Sequence, residues 1–294
     1  EWFIINLPVV FTGINKNKFS WPVGATVASV RLGAEVVGIE QRPGEVRVRL
    51  RDGGEASGEL LVGADGLLST VRKHVLADGP PRYAGETIFR GIAELELDRP
   101  EISRELFGRG SRAAYYELGP GRVYWWASAP LPAGTLVPEG SRRDYLAEAF
   151  SGWGFGIPAL HAATPERAIL QNDVYDRKPA PRWHRGATVL LGDAAHPTTP
   201  NLGQGACLAV EDGLALARAI RAAPVSEQAY AGFHAERARR VARTVRLSRL
   251  WGRAGMWTAD PLVWARDAAL RLTPSALFQH QAVAQYRYLP GQLA

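Results

Sequence analysis

Two segments of this chain carry residues whose types and spacing suit the binding of a dinucleotide. The longer one, residues 189–220, runs from apolar Val189-Leu190-Leu191 through Gly192-Asp193 and a Pro/Gly-rich loop into a helix. A short, continuously apolar run suits a strand buried on both faces of a parallel sheet. A carboxylate at its C-terminal end, Asp193, can accept hydrogen bonds from ribose hydroxyls in the crevice of an open α/β sheet. Gly203 and Gly205 have no side chain to hold a ligand off the backbone. The helix that follows, with Leu208, Leu214, Leu216 and Ile220 among its apolar positions, aims free N–H groups and the positive end of its dipole at the loop. This is not a Rossmann phosphate loop, because Leu208 stands where its third glycine belongs. The second segment, Glu59 to Arg72, reads as another buried strand, a tight acidic turn at Gly63-Ala64-Asp65-Gly66, and a short helix carrying Arg72.

In this order, GADGLLSTVR at 63–72 and GDAAHPTTPNLGQGA at 192–206 resemble the paired flavin and pyridine-nucleotide motifs of single-component FAD-dependent aromatic monooxygenases with the para-hydroxybenzoate hydroxylase fold. The likeness extends through TIFRG at 87–91, RVYWWASAP at 122–130, ATPE at 163–166 and NDVYDRKPAPRWHRG at 172–186, nearest the urate hydroxylase, salicylate hydroxylase and zeaxanthin epoxidase branch. The resemblance implies FAD as cofactor, NADH or NADPH as co-substrate, and O2 activation at flavin C4a. Oxygen then passes to a small aromatic or unsaturated substrate, as hydroxylation or epoxidation. A cofactor that carries the hard step leaves the protein to position substrate, exclude water and stabilise charge.

The same resemblance assigns roles. Gly63, Asp65, Gly66 and Arg72 serve the FAD pyrophosphate and NAD(P)H. Gly192 and Asp193 meet the ribityl or ribose hydroxyls. Pro197, Pro200, Gly203, Gln204, Gly205 and Ala206 shape the loop and helix start against the flavin ring. His196 is read first as ordering the loop by a hydrogen bond and second as a proton relay. In RVYWWASAP, period-two alternation puts Tyr124 and Trp126 on one face and Trp125 on the other. By resemblance the Tyr124/Trp126 face roofs flavin and substrate, and Arg112 holds an anionic substrate group; Trp125 suits plain sheet core equally well.

The family begins with a βαβ unit bearing GxGxxG, which occurs nowhere here; GRGSR at 108–112 and GWGFG at 152–156 lack its spacing. Residues 1–21 hold two of the four Lys and three of the five Asn, against an Arg-, Ala-, Gly- and Pro-rich remainder. An atypical leader over 1–24 is therefore expected, from a gene-assembly junction, intron read-through or frameshift, with a divergent first strand as the other reading. Loss of the βαβ unit would leave the parallel sheet with an unpaired edge, and predicts weak FAD binding and aggregation. A truncated, inactive or non-catalytic fragment, and a flavin-dependent reductase of the same fold, stand as alternatives to the monooxygenase. WGFGIP at 153–158 approaches a halogenase motif, but Phe155 breaks it.

The elements that must position these residues give an α/β fold. An FAD-binding parallel sheet with helices is expected over 25–80 and 178–294, the latter including C-terminal helices. A mixed or antiparallel β-sheet substrate domain is inserted over 81–177. AEVVGIE, the turn RPGE and VRVRLR, with Val46, Val48 and Leu50 alternating against arginines, make a hairpin. At 294 residues and 46% hydrophobic content the chain can bury one large core or two smaller ones. The one cysteine, Cys207, excludes intrachain disulfides and suits a small packed residue. No metal cluster is visible among the six His. Of the net charge of +6, Arg237, Arg240, Arg243, Arg246 and Arg249 recur every three residues and read as a solvated helix face, without a nucleic-acid motif. Trp2 to Phe11 is too short to span a bilayer. No stable membrane insertion, a cytoplasmic location, and a monomer or homodimer are expected.

Overall fold

The computed structural model describes residues 31–97, 104–222 and 226–274, together with a strand at 2–5. The expected leader beyond that strand, 6–24, lies outside the described residues. In chain order the elements are β1 (Trp2–Ile5), β2 (Val36–Arg42), β3 (Glu45–Leu50), β4 (Glu55–Gly58), β5 (Leu60–Gly63), α1 (Thr70–Leu76), β6 (Arg82–Glu94), β7 (Arg104–Phe107), β8 (Arg112–Gly119) and β9 (Arg122–Ala129). There follow α2 (Arg142–Ala149), α3 (Ile157–Ala163), β10 (Leu170–Asp176), β11 (His184–Arg185), β12 (Thr188–Leu190), α4 (Gly192–Ala195), α5 (Gly205–Ala222), α6 (Glu227–Gly255) and α7 (Asp260–Leu272).

The chain divides into two compact units, one of Glu1–Arg82, Asp176–Arg246 and Arg287–Ala294, the other of Tyr83–Tyr175 and Leu247–Tyr286. In the first, a four-stranded sheet runs β1-β5-β12-β11, with β1, β5 and β12 parallel and β11 antiparallel to β12. Every residue of β5 and β12 is buried, as the apolar runs predict for strands covered on both faces. The expected unpaired edge is not found at β5, because Trp2–Ile5 pair with Leu60–Gly63. Val71, Val75, Leu208, Leu216, Phe233, Val241 and Val245 from α1, α5 and α6 fill the core with Leu60, Leu61, Val189 and Leu190. Of the apolar positions expected on α5, Leu214 is instead 51% exposed. The hairpin forms as read: β2 and β3 pair around a turn with Gly44 at φ 76°, and Val46, Val48 and Leu50 point into the core.

The second unit is built on a five-stranded antiparallel sheet, order β10-β6-β9-β8-β7. One face carries Phe89, Ala93, Ala113, Tyr115, Val123, Trp125 and Ala127, and packs on Leu146 of α2, Phe150 just after it, and Ile157 and Leu160 of α3. The strands that open and close this unit, β6 and β10, lie side by side, and Arg82 clasps Asp176 with Nε–Oδ1 at 2.6 Å and Nη2–Oδ2 at 2.9 Å. Helix α6 runs from the first unit into the second. Its last turns and α7 belong with the antiparallel sheet: Trp251 meets Phe107 edge-on at 5.7 Å, and Arg266 donates to the Gly108 carbonyl at 2.9 Å. Among the described residues no helix is long and apolar enough to cross a membrane.

Candidate active site

At the end of β12 the chain turns through Gly192, whose φ is 56°. A Cβ there would come within 3.0 Å of the Ala209 Cβ, so glycine lets α5 lie directly on the turn. Asp193 is exposed, and its carboxylate makes no protein hydrogen bond among the described residues. Although solvent reaches it, the carboxyl is hemmed in by protein, and this desolvation pushes it up against the opposing pull of His196. Pro197 is buried, whereas Pro200 is exposed and opens a single 3₁₀ turn that Gly203 ends at φ 63°. Gln204 is 3% exposed, and its Nε2 has no partner among the described residues. Its carbonyl accepts the Leu208 N–H and starts α5, where Gly205 is half-buried, Ala206 is exposed and the first turn holds no acid.

Beneath the loop lies a buried polar chain. His196 is 2% exposed and shares a 2.5 Å hydrogen bond between Nε2 and Oδ2 of Asp212, which also accepts the Gly192 amide at 3.0 Å. Arg237, fully buried, donates from Nε to Asp212 Oδ1 at 2.8 Å and from Nη2 to Glu211 at 2.6 Å, and Arg240 grips Glu211 with two further bonds. Burial pushes the Asp212 carboxyl up, but His196 and Arg237 together outweigh it and hold the group below the ordinary Asp value. The expected solvated arginine face is thus corrected. A three-residue repeat drifts about 60° per step on a helix of 3.6 residues per turn, so the run sweeps round the helix: Arg237 is buried while Arg243 and Arg246 are exposed.

The 63–72 motif is locked in the same way. Gly63 has no room for a Cβ, which would meet Val71 at 2.7 Å and Leu190 at 2.8 Å. Asp65 caps α1, accepting Ser69 Oγ at 2.5 Å and the amides of Thr70 and Val71 at 2.7 and 3.1 Å; Gly66 takes φ 76° in the turn. Arg72 is 1% exposed, paired with Asp78 and donating to the carbonyls of Ala194 at 2.9 Å and Ala195 at 2.6 Å. Its donors are spent on protein, so it ties the two motifs together instead of facing a ligand.

On the antiparallel sheet, register puts Tyr124, Trp126 and Ser128 on one face with Arg112, Ala114 and Tyr116 of β8 and Ile88, Arg90 and Ile92 of β6. Trp125 is on the other face, fully buried, with Nε1 donating to Thr164 Oγ1 at 2.7 Å. Tyr124 and Trp126 are half-buried, and burial pushes the Tyr124 hydroxyl up. Arg112 is not available as read: it is fully buried and bound to Glu86 at 2.9 Å and Glu105 at 3.2 Å. Asp212 and Arg237 were missed by sequence reasoning, yet each sits on a buried helical stripe, Leu208-Asp212-Ala215-Leu216 and Tyr230-Phe233-Arg237-Val241. A charged residue in an apolar stripe is the signal that finds them.

Residues 157–248 match the FAD binding domain family model. The chain is 42% identical over 245 residues to aurachin C monooxygenase/isomerase of Stigmatella aurantiaca, covering 83% of this chain and 64% of that one. It is 33% identical over 260 residues to 2-heptyl-3-hydroxy-4(1H)-quinolone synthase of Pseudomonas aeruginosa, covering 86% and 66%. Among solved structures, a variant of HpxO from Klebsiella pneumoniae complexed with FAD superposes with a TM-score of 0.80 at 31% identity, over 86% of this chain and 67% of that one. The chain belongs to the FAD-dependent monooxygenases. It spans about two thirds of the length of these relatives. The residues here fit FAD: among the described residues nothing hydrogen-bonds the Asp193 carboxylate or the buried Gln204 Nε2, and nothing lies within 4 Å of where a Gly203 Cβ would be.

Proposed function

We propose that the full-length protein uses NAD(P)H and O2 to hydroxylate or epoxidise a small aromatic or unsaturated compound. When bound, FAD supplies hydride acceptance and oxygen activation. The observation that carries this reading is the juxtaposition of a free carboxylate, Asp193, with an α5 N-terminus whose first turn holds no acid, across a loop of αL glycine and proline. Asp193 accepts cofactor hydroxyls. Gly203, Gln204 and Gly205 present backbone to the ring, with Pro197, Pro200 and Ala206 shaping the surface, and the α5 dipole favours negative charge there. Gly63, Asp65, Gly66 and Arg72 act one step back, by holding α1 and the Ala194-Ala195 carbonyls in place. His196 orders the loop through Asp212. Tyr124 and Trp126 line the substrate's face of the sheet. We place this chemistry in the cytoplasm. The name of one relative, 2-heptyl-3-hydroxy-4(1H)-quinolone synthase, supports a quinolone ring as the kind of compound handled.

The test is FAD retention by the full-length protein, followed through its visible spectrum, together with substrate-dependent NAD(P)H oxidation and O2 uptake. Asp193→Ala is expected to lose FAD on gel filtration. Unchanged retention removes Asp193 from the cofactor site, and NAD(P)H oxidation without O2 incorporation into product favours a reductase.

A further inference from the structure

Two arginines share the Tyr124/Trp126 face of the antiparallel sheet, and their surroundings are opposite. Arg112 is sealed in: Glu86 and Glu105 take its Nη groups, its guanidinium lies 5.2 Å from the Trp126 ring, and Gly255 of α6 covers its stem so closely that a Cβ there would fall 2.2 Å from Arg112 Cδ. A buried cation held by two carboxylates has no charge to offer a ligand. Arg90 is exposed, and no carboxylate pairs with it among the described residues. It is the direct cross-strand partner of Trp126, two pairs along from Ile92 and Tyr124, so its side chain rises from the same face. Its Nη2 donates to Asn172 Oδ1 at 3.1 Å, and its charge opposes the rise that burial imposes on the Tyr124 hydroxyl. A guanidinium carries five donors, and these contacts leave several unused. Ile88 and Ile92 flank it on β6, and Trp126 and Tyr124 stand on the adjacent strand of the same face, a setting in which one charge-assisted hydrogen bond discriminates strongly.

We propose that Arg90 is the polar anchor for substrate, donating to a carbonyl or phenolate oxygen on an aromatic ring laid along Tyr124 and Trp126, while Arg112 is a buried support for the strand beneath. This rests on the reading that the Tyr124/Trp126 face receives the substrate, and it narrows the substrate class to rings bearing an oxygen acceptor. Such a ring is rejected when that oxygen is removed, because the guanidinium is then left to face an apolar group.

The experiment compares 4-quinolone with quinoline, the same ring lacking the oxygen, on the full-length FAD-loaded protein, reading binding from the perturbed flavin spectrum and, separately, KM and kcat of substrate-stimulated NAD(P)H oxidation. The unaltered protein is expected to prefer 4-quinolone. Arg90→Gln should weaken 4-quinolone by about ten- to a hundredfold, the range for a hydrogen bond to a charged group, mostly in KM, and leave quinoline unchanged; Arg90→Lys should recover part of the loss. Equal losses for both rings, no loss, or no preference in the unaltered protein would each overturn the proposal. Trp126→Ala separates the two layers. If it weakens both rings while Arg90→Gln weakens neither, the face is right and the anchor wrong; if neither variant has an effect, the reading of the face itself fails.

Discussion

Replacing Asp212 with Ala removes the one carboxylate on which three buried donors converge, the Gly192 amide, His196 Nε2 and Arg237 Nε. Breaking a buried ion pair by deleting one partner costs about 3–5 kcal/mol. Glu211 still holds Arg237 Nη2 at 2.6 Å, which places this loss near the lower end. An orphaned buried amide adds roughly 1–3 kcal/mol, and because the two penalties share one relaxation, about 4 kcal/mol is expected in total. Against a typical total stability of about 5–15 kcal/mol, that is a large fraction, and it falls on the turn bearing Asp193. Urea unfolding of the single variant and of the double variant Asp212→Leu/Arg237→Met measures it. The double variant should be well short of the sum, because removing both partners leaves no stranded charge. The folded-state carboxyl is held below its unfolded value, so its contribution is present above the unfolded Asp pKa and is lost as pH falls through the folded one. Asp212→Asn should therefore lack that part of the acid transition. A single variant within about 1 kcal/mol of the parent, or strictly additive losses, would refute the network as drawn.

His161, 1% exposed between Trp125 at 4.5 Å and Phe150 at 5.4 Å, is pushed down to about 4 by burial. The unfolded chain takes up that proton near pH 6.5, so the fold should lose on the order of 3 kcal/mol between about pH 6.5 and 4. His161→Phe should flatten that limb of a stability–pH curve, and an unchanged slope would rule His161 out as its source. Gly63→Ala drives a methyl into Val71 and Leu190, both buried, and should cost roughly 1–3 kcal/mol by overpacking; a thermal midpoint equal to the parent's would contradict the spacing.

Strands and faces were legible because burial writes a period into apolar residues. The runs at β5 and β12, the alternation in β3, and the split of Trp125 from Tyr124 and Trp126 all follow from it. Long charged side chains carry no such mark. Whether Arg112, Arg72 or Arg237 faces solvent depends on Glu86, Ala194 and Asp212, partners 26, 122 and 25 residues away. The same holds for the C-terminal helices, expected with the flavin sheet: α6 reads as one amphipathic run, yet the contact of Trp251 with Phe107 and that of Arg266 with Gly108 attach its end and α7 to the other sheet.

The clasp between Arg82 and Asp176 bears on how such a chain can be assembled at all. It joins the residues that flank the inserted unit, across adjacent strands. Once the antiparallel sheet has formed, its two ends are already together, and the first unit sees not a loop of some ninety residues but a short, stiff connection. For a loop that long, the length-dependent closure entropy is roughly 4 kcal/mol. The excursion between β5 and β12 is thereby made nearly free for the parallel sheet, which can then be swapped, enlarged or re-lined over evolutionary time without disturbing the order in which the cofactor strands come together.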